Sequence, residues 1–176
     1  MIVETIKLNE MGMFPELFLS ISIFYTFVYG LFTSINNEYN YPLIQSIMVN
    51  LGVLVISFVC FLFINDSLFN LDVISFNNSI ANDYLSFASK IVIGFSSIVC
   101  LIMMKQYLLD QKINQFEYVL VILFALLGVF LLCSANDLLT TYLAIELQSL
   151  AFYILAAFKK NSTYSVDAGL KYFILG

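Results

Sequence analysis

Three ionisable residues sit inside long apolar runs of this sequence: Glu146, Lys171 and Lys90. A charge near the middle of a bilayer costs roughly 2.5–3.5 kcal/mol on insertion scales, so such residues usually face a bundle interior or water. Glu146 has polar company at helical spacing. Tyr142 precedes it by four, Ser149 follows by three and Tyr153 by seven, while Gln148 points elsewhere. Desolvation favours a neutral carboxyl and a nearby cation favours a charged one. A Glu whose lysine partner comes and goes could therefore take up and release a proton. The plainer alternative is a static Glu–Lys pair that holds helices together.

Lys171 lies about two turns into its apolar run and could either face a partner or snorkel to the nearby interface. Lys90 shares a helix face with Ser86, Gly94 and Ser97, which suits close helix packing, and it too could snorkel. Glu16 follows Pro15 in the first turn of a span, where the helix dipole accounts for it. Asp137 and the pair Lys159-Lys160 read as interfacial.

The elements that must position these residues are transmembrane helices. The 176 residues are 61% hydrophobic and only 11% charged, against roughly 45–50% and about 25% in soluble domains. A spanning helix needs about 20 mostly apolar residues, and single strands cannot satisfy their backbone in lipid. Five full spans are expected, at about Phe14–Ser34, Leu43–Ile64, Tyr84–Met104, Phe116–Cys133 and Asp137–Phe158. A sixth starts near Ser165 and stops at Gly176, too short to cross. The fold class is thus all-α, a polytopic helix bundle of five spans plus a truncated sixth, forming one membrane domain over 1–176. Either the sequence is truncated, or another polypeptide continues the bundle.

Local signals set the boundaries. Pro15 and Pro42 stand at the starts of spans one and two, where a missing N–H is harmless. The run Asn36-Asn37-Glu38-Tyr39-Asn40 is a turn cluster. Ser134-Ala135-Asn136-Asp137 supplies a cap for span five, and Lys159-Lys160 closes it. Lys105 and Lys112 follow span three, and Lys159 and Lys160 follow span five; the intervening loop, Asn65–Asp83, holds Asp66, Asp72 and Asp83 but no lysine. By the positive-inside rule the lysine loops face the cytoplasm, or the matrix of a mitochondrion, with the N-terminus opposite.

Several classes are excluded or disfavoured. The net charge is −5 with no basic run, which argues against nucleic acid. There is no His, which removes the commonest metal ligand and acid–base group. Cys60, Cys100 and Cys133 match no zinc or disulfide pattern and read as buried small apolar residues. The N-terminus lacks the basic region of a secretory signal, because Lys7 is flanked by Glu4 and Glu10. Abundant Phe, Ile, Asn, Tyr and Lys, which have A/T-rich codons, suggest an A/T-rich genome, of which an organellar genome is one kind.

The run from Ser134 to Lys160, with Ala-Ile-Glu146-Leu-Gln-Ser-Leu at its centre, resembles the subunit 2 family of the proton-pumping NADH:ubiquinone oxidoreductase, complex I. Asp167-Ala-Gly-Leu-Lys171-Tyr-Phe-Ile-Leu-Gly176 looks like that family's next block. The likeness is specific over Phe116–Gly176 and closest to mitochondrial forms; upstream it lies in helix order and Pro15-Glu16. It implies an antiporter-like membrane subunit whose proton-pathway residue is Glu146, with Lys171 a further polar position. No redox cofactor is expected on this chain, which lacks any cluster or nucleotide motif, and the resemblance implies that NADH, FMN, iron–sulfur clusters and ubiquinone are handled elsewhere in the complex. It implies as partners other membrane-arm subunits, lipids and a separate chain supplying the remaining helices, and as location the mitochondrial inner membrane. Lys90 joins Glu146 and Lys171 as a candidate for proton coupling. The rival readings are a subunit of a multisubunit cation/proton antiporter and a purely structural membrane subunit.

Overall fold

The computed structural model describes residues 13–35, 41–69, 73–76, 78–110, 115–159 and 162–176. The turn cluster at 36–40, Asp72, Lys112, Lys160 and the acidic N-terminal segment fall outside them. The described residues form six helices and one small hairpin: α1 (Phe14–Ile35), α2 (Tyr41–Phe69), β1 (Val73–Ser75), β2 (Ile80–Asn82), α3 (Tyr84–Asp110), α4 (Glu117–Ser134), α5 (Leu138–Ala156) and α6 (Thr163–Leu175). Five of the helices are long and apolar enough to cross a membrane. The protein is an all-α membrane helix bundle, as its composition requires.

Most helix ends fall within two residues of the expected ones. Pro15 and Pro42 are each the second residue of their helix, where proline's missing donor has no intrahelical partner to lose. Asp137 caps α5, with its backbone N–H donating to the Thr140 hydroxyl at 3.4 Å. The differences lie where helices outrun the apolar stretch. Helix α2 continues past Ile64 to Phe69 and carries Asn65 and Asp66 with it, and α3 continues past Met104 to Asp110. Outside the hydrocarbon a helix can satisfy polar side chains with water, so polarity alone does not end it.

The stretch expected as a plain acidic loop holds the hairpin. β1 and β2 pair antiparallel with Val73 opposite Asn82 and Ser75 opposite Ile80. Its turn needs left-handed backbone at Phe76 (φ 53°) and Asn78 (φ 71°). Asn takes that conformation readily; a Phe does so only when its surroundings hold it. Here the Phe76 carbonyl accepts the Ser79 N–H at 3.1 Å.

Helix α4 is the hub of the packing. Its Val119, Leu120, Leu123, Leu126 and Phe130 join a core with Leu19 and Ile23 of α1, Val59 and Phe63 of α2, and Phe87 and Leu101 of α3. Between α2 and α3, a Cβ on Gly94 would collide with the Cys60 sulfur, so that glycine is what lets the helices approach. Helix α5 packs on α4, and α6 on α5. The outward faces of α5 and α6 carry many exposed apolar side chains, among them Leu139, Leu143, Leu150 and Ile174. Cys60 is buried as expected, whereas Cys100 is exposed and Cys133 half-buried, where burial was expected. Lipid or a neighbouring helix is as apolar as a core, so an apolar run does not tell them apart.

Candidate functional site

The structure divides the ionisable residues of the spans into two groups. The first is a closed polar centre between α1, α2, α3 and the hairpin. Lys90 is fully buried, and its ammonium donates to Glu16 Oε1 at 2.5 Å and to Asn82 Oδ1 at 3.3 Å. The ring of Phe63 lies 5.2 Å from the ammonium and that of Phe87 5.9 Å, both within cation–π range. Phe63 in turn meets Phe130 of α4 edge-on at 5.2 Å. Lys90 therefore does not snorkel. Glu16, itself 2% exposed, is not explained by the helix dipole alone: it is the counter-ion. Its Oε2 is buried with no hydrogen-bond partner among the described residues.

Sequence reasoning placed Lys90 on the right face, since Ser86 and Gly94 are buried alongside it. It missed the pairing. One signal was available. Glu16 and Lys90 lie near the starts of two helices that run in the same direction across the bundle, so both sit at shallow depth on one side. Opposite charges at one depth are candidates to pair. Asn82 carried no signal of its own, being one of many asparagines in a loop.

The second group is Glu146 with its stripe. A Cβ on Gly128 of α4 would stand 2.9 Å from the Gln148 amide nitrogen and 3.1 Å from the Ala144 carbonyl oxygen, which fixes the 144/148 face of α5 against α4. Glu146 is turned about 200° from Ala144 at 100° per residue, so it points away from α4. It is half-buried, and Tyr142, one turn earlier, is close enough for its hydroxyl to interact with the carboxylate. Ser149 donates to the Glu146 backbone carbonyl at 3.0 Å rather than to its side chain. No cation lies within ion-pair reach of Glu146 among the described residues.

Helix α6 covers only the far end of this stripe. Tyr153 meets Tyr172 and Phe173 edge-on at 4.8 and 5.5 Å, and the Ser165 hydroxyl donates to the Ala156 carbonyl at 2.7 Å. Gly169 sits against Ala157. Those contacts fix the inner face of α6 and turn Lys171, two residues from Gly169, to the outer one, where it is exposed. The structure thus brings Lys90 together with Glu16, and does not bring Lys90, Glu146 and Lys171 together. No three His, Cys, Asp or Glu residues cluster as a metal site among the described residues.

A polar link runs from the hairpin beside the first group to the start of α5, the helix that carries Glu146. The turn of the hairpin is bonded to the connection between α4 and α5: Asn136 N–H donates to the Ser79 carbonyl at 2.9 Å, Asn136 Nδ2 to the Asn78 carbonyl at 2.8 Å and the Thr140 hydroxyl to the Ser79 carbonyl at 3.2 Å. Ile80 also bridges to Ala135. These contacts put the hairpin, the α4–α5 turn and the starts of α1 and α3 at one end of the bundle, as the alternation of five crossings demands.

Residues 135–176, which include Glu146 and Lys171 but not Lys90, match the family described as NADH:quinone oxidoreductase/Mrp antiporter, TM. The chain is 35% identical over 166 residues to NADH-ubiquinone oxidoreductase chain 2 of Marchantia polymorpha, covering 94% of this chain and 34% of that protein. Against the Arabidopsis thaliana chain 2 it is 34% identical over 167 residues, with 94% and 34% covered. It is 42% identical over 102 residues to NADH-quinone oxidoreductase subunit N of Maricaulis maris, covering 58% of this chain and 21% of that one. The chain spans about a third of the length of the first two of these curated relatives.

Proposed function

From a likeness to NADH-ubiquinone oxidoreductase chain 2 that runs along nearly its whole length, we propose that this chain works as a membrane-arm subunit of a proton-pumping NADH:ubiquinone oxidoreductase. In this reading it is a single membrane domain contributing the N-terminal helices of an antiporter-like unit. The remaining helices of that unit would come from the rest of the same polypeptide or from a separate chain. Other membrane-arm subunits and lipids would surround it.

The observation that carries the reading is the placement of Glu146: half-buried in a span, turned away from α4, on a face only partly covered by α6. A carboxylate in that position is poised to meet a cation from a neighbouring helix, and approach or withdrawal of that cation would bind or release a proton. Lys171 faces outward and would meet such a neighbour too. Lys90, held by Glu16, would act in coupling rather than as a carrier. NADH, FMN, iron–sulfur clusters and ubiquinone would be bound by other subunits.

The location that follows is the mitochondrial inner membrane, with the N-terminus on the intermembrane-space side and the gene in the organelle. The deciding experiment is Glu146→Gln in the assembled complex, with protons moved per electron as the readout. A lowered ratio with normal assembly supports the role; an unchanged ratio removes it and leaves a structural subunit.

The family description also names an Mrp antiporter, so a subunit of a multisubunit cation/proton antiporter is the second reading. Co-purification separates the two: a flavin- and cluster-containing assembly supports the first, and its absence the second.

A further inference from the structure

The Glu16–Lys90 pair is an expensive feature of the fold. Two charges are held out of water, and continuum arguments and experiments agree that such pairs often contribute nothing to stability beyond what apolar residues would. The second hydrogen bond of Lys90 is to Asn82, the last residue of β2. From there the connection is continuous. β2 leads back to Ser79 and Asn78, which accept three hydrogen bonds from Asn136 and Thr140. Thr140 is in the first turn of α5, six residues before Glu146.

We propose that Glu16 and Lys90 are positioning residues for Glu146, acting through the hairpin: Lys90 fixes β2 by its bond to Asn82, and the hairpin turn fixes the first turn of α5. The functional half of this proposal rests on Glu146 being the proton-exchanging group; the structural half does not. Helix α5 needs such an anchor because it packs on one side only, against α4, and α6 holds only its far end. At its start the hairpin replaces a packing partner. A shift of the α5 start would move Glu146 relative to any cation it meets, and the attraction between two charges depends on their separation.

The test uses the assembled complex in nanodiscs. Backbone amide exchange is read on peptides covering Asn136 and the first turn of α5, and protons moved per NADH oxidised are read beside it. Lys90→Met should speed exchange at Asn136 by about tenfold, the signature of local opening, and lower the proton yield while NADH oxidation continues. Lys90→Arg keeps the charge and the donors and should restore both. Asn82→Leu keeps both charges, removes the bond from Lys90 to the Asn82 side chain, and should reproduce the Lys90→Met exchange; it carries the test alone if Lys90→Met does not assemble.

In a Glu146→Gln background, Lys90→Met should lower the proton yield no further, because positioning acts through the group that is gone. Unchanged exchange at Asn136 in both Lys90→Met and Asn82→Leu overturns the proposal, and so does an additive loss of yield in the double variant. If Glu146→Gln alone leaves the yield unchanged, the role of Glu146 is what fails, and the exchange data still decide whether the pair seats the hairpin.

Discussion

Gly128 and Gln148 meet backbone to backbone: a Cβ on Gly128 would stand 2.9 Å from the Gln148 amide nitrogen. The obstacle is backbone and no side chain can rotate away to relieve it, so α5 cannot accommodate a side chain at this position of α4 without moving.

Gly128→Ala should therefore push α5 outward, with an overpacking penalty of about 1–3 kcal/mol. Gly52→Ala is the control. There the obstacle is Cγ1 of Val119, at a similar 2.8 Å but on a side chain that can give. Thermal unfolding of the complex should show a clear loss for Gly128→Ala and a smaller one for Gly52→Ala. Equal losses would mean that the α4–α5 contact is not backbone-limited.

The buried ion pair predicts an asymmetry. Removing one partner strands the other charge away from water, at about 3–5 kcal/mol, whereas removing both leaves an apolar contact. Lys90→Met and Glu16→Leu should each destabilise the complex strongly, and the double variant should be closer to the unsubstituted protein than either single one. A double variant as unstable as the sum of the singles would contradict the pairing.

Lys171 should behave in the opposite way. It is exposed on the outer face of α6, and substitutions away from packed features change stability by about 0.5 kcal/mol or less. Lys171→Ala should leave assembly and thermal stability unchanged while lowering the proton yield. Loss of assembly instead would make Lys171 a docking residue.

Topology gives a further prediction. Asn78 and Lys159 are both exposed and lie at opposite ends of the bundle. A cysteine at Asn78 should react with an impermeant maleimide added outside mitoplasts, and one at Lys159 only after the membrane is opened. The reverse pattern would overturn the orientation read from the lysines.

What the sequence made legible follows from where each constraint comes from. The bilayer imposes a length on every span, so the helices could be counted, and most of their ends placed, from apolar runs alone. Lys90, Glu146 and Lys171 stood out because a charge in such a run is costly wherever its partner is. The partner is another matter. Glu16 and Lys90 are joined by the bundle and not by neighbourhood in the chain, and Glu16 had an adequate local explanation in the dipole of α1. The hairpin was invisible for a related reason. Its strands are three residues each, its turn contains no glycine, and its hydrogen-bond partners Asn136 and Thr140 lie far away along the chain. Asp66 and Asp110 fall within helices because a helix end outside the hydrocarbon is not obliged to coincide with the end of an apolar run.

The separation of 74 residues between Glu16 and Lys90 also sets a delay. At synthesis rates of about 5–20 residues per second, Lys90 emerges from the ribosome roughly 4–15 s after Glu16. During that interval α1 and α2 are already available for insertion, and Glu16 has no counter-ion. Its place in the first turn of α1 lets it wait at the lipid headgroups, in contact with water. Only when α3 arrives can the carboxylate be drawn inward and sealed beneath Asn82. The pair can therefore close only after α3 has followed α1 and α2 into the membrane, so the polar centre is completed in the order in which the helices are made.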